Sequence, residues 1–128
     1  MSIDKLKILV VEDNRDNREV ITLFIRGIAS LDFALNGEEA LAKTEQNSYD
    51  IILMDINLGM GLSGIDVTKQ LRQNEKYKLT PIVAVTAYSL MDDKQQILNA
   101  GCSHYVGKPF TRKELLELIS NISVDYHL

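Results

Sequence analysis

The chain has 128 residues, 45% of them apolar and 25% charged, with a net charge of −4. That suits one globular domain spanning residues 1–128 and is too short for two. The acidic balance and the lack of a basic run argue against direct nucleic-acid binding. No apolar stretch approaches the roughly 20 residues that cross a bilayer, and residues Met1 to Lys7 lack the apolar core of a secretory signal. The single cysteine, Cys102, cannot form an internal disulfide, which fits a reducing, cytoplasmic setting. A start at Met1 favours a natural N-terminus.

In chain order, Lys7 to Val11 is a β-branched apolar run that ends on Glu12 and Asp13, and it reads as a buried strand. Asn14 to Gly27 follows as a helix, with Val20, Ile21, Phe24, Ile25 and Ile28 at helical spacing. Ala29 to Leu35 is a less apolar strand, expected at a sheet edge. Asn36 opens a second helix, with Glu39 three residues on and Ala40, Leu41 and Thr44 facing inward. The run Ile51-Ile52-Leu53-Met54-Asp55 has four apolar residues without a polar break and ends on a carboxylate.

Residues 57 to 63 hold Gly59 and Gly61 and read as a loop. Ser63 and Asp66 form a weaker cap for a third helix burying Ile65, Thr68 and Leu71. The mixed charges from Arg72 to Lys78 read as a solvated helix end. Ile82 to Thr86 is a strand, Ser89 caps a helix that buries Ile97 and stops at Gly101, and His104 to Gly107 is a short strand. Thr111 and Glu114 match a capping box for a last helix burying Leu115, Leu118, Ile119 and Ile122. Val124 to Leu128 carries no clear signal.

Five strands alternating with five helices predict a doubly wound parallel sheet with helices on both faces. The common order for five strands is 2-1-3-4-5, which puts the two most apolar strands, the first and third, side by side in the middle. Glu12, Asp13 and Asp55 then meet at one strand edge, since neighbouring strands lie about 5 Å apart. Three carboxylates this close repel one another unless a cation sits among them, and Mg²⁺ is the natural candidate for a hard oxygen site. Thr86 and Lys108 end the fourth and fifth strands at the same edge, where a hydroxyl and an ammonium suit a phosphoryl group. Pro109 is a candidate cis proline that would aim the lysine inward.

Glu12-Asp13, Asp55, Thr86-Ala87 and Lys108-Pro109, in this order and spacing, resemble the receiver domain of bacterial two-component response regulators. Asn36-Gly37-Glu38-Glu39-Ala40-Leu41 and Ala100-Gly101-Cys102-Ser103-His104-Tyr105 also look like family signatures, and the likeness spans about residues 5 to 122. The fold this implies is the flavodoxin-like (βα)5 three-layer sandwich, similar to that of chemotaxis regulators. The resemblance implies that Asp55 is the phosphoacceptor and that Asp13, Asp55 and the Asn57 carbonyl ligate Mg²⁺ with help from Glu12. It implies that Lys108 pairs with the phosphoryl group, and that Thr86 and Tyr105 switch together to reshape the surface of the fourth helix, fifth strand and fifth helix. The implied phosphoryl donor is a sensor histidine kinase or a histidine phosphotransfer protein, and the output is a downstream target protein or output domain. Such a receiver catalyses its own phosphorylation and dephosphorylation.

The chain departs from the family after the acceptor. Gly59 stands where a proline is usual, and Gly64 comes one residue late, so the loop is longer, richer in glycine and expected to be more mobile. Position alone puts Tyr88 and Met91 on the surface a partner reads. A flavodoxin-like electron carrier shares the fold, but Glu12-Asp13-Asn14 would repel a flavin phosphate. An aspartyl phosphatase would need a second Asp two residues after Asp55, where Asn57 stands. A degenerate receiver, acting as a phosphorylation-independent interaction module, is the remaining alternative.

Overall fold

The computed structural model describes residues 6–59, 61–87 and 91–128, and the side chains of residues 91–93 lie outside that description. The elements run β1 (Lys7–Val11), α1 (Arg15–Ile25), β2 (Ser30–Ala34), α2 (Gly37–Gln46), β3 (Ile51–Asp55), α3 (Gly64–Arg72), β4 (Ile82–Thr86), α4 (Met91–Ala100), β5 (His104–Gly107) and α5 (Arg112–Asp125), with a 3-10 turn at Glu75–Tyr77 before β4. The five strands pair in parallel in the order β2-β1-β3-β4-β5, as the alternation of elements predicts.

Strand residues alternate between the two faces, and each face has its own core. Leu9, Val11, Ile52, Met54, Ile82 and Ala84 pack with Ala40, Val67, Leu71 and Ile97 from α2, α3 and α4. Ile8, Val10, Ile51, Leu53, Val83 and Val85 pack with Ile21 and Ile25 of α1 and Leu115, Ile119 and Ile122 of α5. β1, β3 and β4 are therefore covered on both sides, which is why they lack a polar alternation. Each fully buried Leu or Ile contributes roughly 1.5–3 kcal/mol. An exposed pair such as Arg15–Glu19 contributes about 0–1 kcal/mol. The two apolar layers, rather than surface charge, set the frame that holds the strand ends.

Caps define where each helix starts. Asn14 and Asn36 accept from the backbone N–H groups of Asn17 and Glu39. The Glu39 carboxylate accepts from the Leu35 N–H rather than from Asn36, so α2 lacks a reciprocal box. Ser63–Asp66 and Thr111–Glu114 are both full capping boxes, so an aspartate at the third position serves α3 as well as glutamate serves α5. Gly101 ends α4 at φ 116°. The Ser89 cap lies outside the described residues.

Several burial expectations change. Val20 is exposed, because the inward stripe of α1 runs through Ile21 and Ile25. In α3 it is Val67 that is fully buried, while Ile65 is only half-buried. α5 continues to Asp125, past the point where the sequence loses its signal. The stretch from Arg72 to Lys78 is solvated at residues 73–76 and 78, but Arg72 and Tyr77 turn inward. The Arg72 guanidinium donates to the carbonyls of Gly101, Tyr77 and Thr80 at 2.7–2.8 Å, and the Tyr77 hydroxyl, fully buried, donates to the carbonyls of Thr44 and Asn47. The partners that come from distant segments, Gly101 for Arg72 and Thr44 and Asn47 for Tyr77, have no signature in local sequence.

Candidate metal and phosphoacceptor site

The strand register assembles the site. Val11 pairs with Met54, so the next residues, Glu12 and Asp55, stand side by side at the carboxyl edge of the sheet. Thr86 pairs with Gly107, which brings Lys108 to the same edge from β5. The sheet thus gathers side chains that are 96 residues apart in sequence.

Glu12 is 2% exposed and Asp55 4%, whereas Asp13 faces solvent. One carboxylate oxygen from each of the three lies within 4.8 Å of the others. The donors are hard, anionic oxygens, and the exposed Asp13 leaves a side open to water. That is the chemistry a Mg²⁺ ion takes: few carboxylates, retained waters and room for phosphate oxygens. The acidic cluster therefore fits Mg²⁺.

Each carboxylate is held in place by a defined donor. The Asn57 N–H donates to Asp55 Oδ1 at 2.9 Å. The Asn14 N–H donates to Glu12 Oε2 at 3.2 Å, and the Gly59 N–H donates to Asp13 Oδ2 at 3.0 Å. The Lys108 ammonium donates to Glu12 Oε1 at 2.9 Å and to Asp55 Oδ2 at 3.4 Å. Burial alone would push its pKa down. The Glu12 hydrogen bond and the charges of Asp55 and Glu12 together outweigh burial, so the ammonium titrates above its ordinary value. It is a fixed positive charge at neutral pH.

The lysine is placed by its own segment. Its backbone N–H donates to the Thr86 carbonyl at 2.7 Å, and the Lys108–Pro109 peptide is cis. Phe110 packs edge-on against Phe24 of α1, with ring centres 6.1 Å apart. Thr86 is buried at the end of β4. Tyr105 points outward, 45% exposed, with the Lys94 ammonium of α4 5.1 Å from its ring centre. Tyr88 and the side chain of Met91 lie outside the described residues.

The loop after Asp55 is where sequence reasoning missed the most. Its glycines suggest a loose connection, and several of its described residues make specific contacts that the sequence does not signal. Leu58 is buried in the core, and the Leu62 N–H donates to Glu38 Oε1 at 3.2 Å. Gly64 sits so close to β3 that a Cβ there would fall 2.2 Å from the Asp55 carbonyl oxygen. Glu38 belongs to α2 and shows no sequence signal that would link it to this loop.

The model of the response regulator receiver domain matches residues 8–120. The chain is 33% identical over 115 residues to the polar-differentiation response regulator DivK of Brucella anthropi, covering 89% of this chain and 93% of that protein. It is 35% identical over 133 residues to the hybrid signal transduction histidine kinase G of Dictyostelium discoideum, covering 98% of this chain but only 4% of that protein. Among solved structures, the receiver domain of a sensor histidine kinase from Pseudomonas aeruginosa PAO1 superposes with a TM-score of 0.83 at 36% identity, covering 91% of this chain and 95% of the other. That structure was solved with a magnesium ion coordinated in its active site cleft. The chain spans nearly all of one relative and a small part of another, so the family is common to both while the surrounding architecture is not. With the family model covering most of the chain and the strand edge carrying the acids and lysine described above, this chain belongs to the response regulator receiver domains of two-component systems.

Proposed function

We propose that this receiver is a phosphorylation-activated switch with Asp55 as the phosphoacceptor. The observation that carries the reading is the placement of a buried Asp55 beside Glu12 and Asp13, with the Lys108 ammonium 3.4 Å from its Oδ2. A carboxylate fixed by a backbone donor and flanked by a cation is a positioned nucleophile.

The donor is the phosphohistidine of a sensor histidine kinase or of a histidine phosphotransfer protein. A carboxylate oxygen of Asp55 attacks phosphorus in line; the O–P bond forms, the P–N bond breaks, and the departing imidazole keeps the electron pair. Asp13, Asp55 and the Asn57 carbonyl would hold Mg²⁺, with Glu12 assisting. When bound, the ion supplies charge neutralisation at the phosphoryl oxygens. The Lys108 ammonium, beside Asp55 Oδ2, would share that task. Water later cleaves the acyl phosphate and resets Asp55.

The phosphoryl group acts as a tethered ligand that biases a two-state element. Thr86 moves toward it, and Tyr105 changes rotamer in step, so the α4-β5-α5 surface changes for a downstream target or output domain. Incubation with Mg²⁺ and acetyl phosphate should add one phosphoryl group by intact mass, and Asp55→Asn should abolish it. Wild-type protein that binds Mg²⁺ yet stays unmodified would make this a degenerate receiver, an interaction module that works without phosphorylation.

A further inference from the structure

The loop between β3 and α3 does more than connect them. Its Gly59 N–H donates to Asp13 Oδ2 at 3.0 Å, so a loop amide grips one of the metal-site acids. A hydrogen bond to one carboxylate oxygen fixes the plane of the group and leaves the other oxygen free to ligate, which is how outer-shell donors orient metal ligands. A proline at 59 would have no N–H to give. Even an added Cβ at Gly59 would lie 3.1 Å from Asp13 Oδ2. Position 59 thus calls for a residue with a free N–H and leaves little room beside the carboxylate.

The loop is in turn held from α2. Glu38 Oε1 accepts from the Leu62 N–H at 3.2 Å. Gly61 lies against the same carboxylate: it takes φ 78°, and a Cβ there would fall 2.7 and 2.9 Å from the two Glu38 oxygens. The first residue of α2, Gly37, meets the loop directly, since a Cβ on it would lie 2.8 Å from Leu62 Cβ. Contacts on both sides of the Glu38 carboxylate therefore seat the loop on the start of α2, and the loop carries the amide that faces Asp13.

We propose that Glu38 is a positioning residue for the metal site, clamping the β3–α3 loop so that the Gly59 amide holds Asp13 in its ligating orientation. The inference rests on the reading that the three acids bind Mg²⁺. It links occupancy of that site to an exposed side chain on α2.

Calorimetric Mg²⁺ titration of the full chain tests it. Glu38→Ala should weaken Mg²⁺ binding about three- to tenfold, less than the roughly 10–100-fold of a direct outer-shell partner, because it acts through the loop. Glu38→Gln keeps an oxygen for the Leu62 N–H and should bind close to wild type. Gly59→Pro should weaken binding, and the Glu38→Ala/Gly59→Pro double variant should be no weaker than Gly59→Pro alone. Amide exchange at Gly59, read without metal, should speed up in Glu38→Ala and not in Glu38→Gln. Equal weakening by Gln and Ala would mean a long-range charge effect and would overturn the clamp, as would additive losses in the double variant or wild-type affinity in Glu38→Ala. Failure of the wild type to bind Mg²⁺ would overturn the metal reading itself and the clamp with it.

Discussion

Lys108 Nζ lies 2.9 Å from Glu12 Oε1, closer than its 3.4 Å approach to Asp55 Oδ2, so the lysine is held chiefly by the acid that directly follows β1. It is the one ammonium described at this edge and the counter-charge to three carboxylates. Lys108→Ala leaves Glu12 buried without its cation. The metal-free variant should lose about 1–2 kcal/mol, a buried-pair penalty reduced by the lysine's partial access to water. Its Mg²⁺ affinity should rise severalfold, because a competing positive charge is gone, while its conformational response to phosphorylation is blunted. Melting curves with and without Mg²⁺, and a titration, read both effects; unchanged affinity would contradict the electrostatic account.

Asp13 offers the opposite sign. It is the exposed member of the cluster, and without a metal ion it repels two fixed neighbours whose charge Lys108 only partly offsets. Asp13→Asn keeps an oxygen for the Gly59 N–H but removes one negative charge. The metal-free variant should melt a few degrees higher, which corresponds to about 0.5–1 kcal/mol. Mg²⁺ should bind at least tenfold more weakly and give it little further thermal protection. A lower melting temperature without metal would show that repulsion at this edge is negligible.

Far from the site, Arg72 is a charged side chain whose removal should be costly. Its stem crosses Gly101, and its guanidinium bridges the carbonyls of Gly101, Tyr77 and Thr80. Burial pushes its pKa down from the ordinary value, yet a guanidinium remains charged at neutral pH. Arg72→Ala should destabilise the fold by roughly 2–4 kcal/mol in urea unfolding, since several part-buried carbonyls lose a charged donor. Lysine, a point charge without the planar fork, should rescue little. A loss below about 1 kcal/mol would return Arg72 to the status of a solvated helix-end residue.

Alkaline pH should weaken the fold through four groups at once. Burial pushes the Cys102 thiol and the Tyr77 hydroxyl up. Tyr49 is raised by burial and by its hydrogen bond to Asp32, and Lys108 is raised by Glu12 and Asp55 against the opposing effect of burial. In each case the folded chain holds the proton more tightly than the unfolded chain. The contribution is therefore complete below the ordinary values and is lost as pH rises through the folded ones. Unfolding free energy measured in urea should be flat with respect to these groups at neutral pH and fall from about pH 9 upward. Tyr49→Phe should make that fall shallower; an unchanged slope would remove Tyr49 from the account.

The order of elements, the doubly wound topology and the residues of the strand edge are legible in the sequence alone. Apolar runs such as Ile51 to Met54 must be buried on both faces, and a βα alternation with right-handed crossovers leaves few arrangements. Once β1 lies beside β3, Glu12, Asp13 and Asp55 must meet. What the sequence left open depends on contacts between segments that share no local pattern. Arg72 reads as a solvated charge until the carbonyls of Gly101 and Thr80 are brought to it. Val67 and Ile65 are equally apolar, and only the angle at which α3 packs decides which is buried. The glycines after Asp55 read as slack because glycine widens the backbone's choices. In the folded chain the same glycines let the loop sit against Asp13, Glu38 and β3, and that close approach exists only once α2 and β1 are in place.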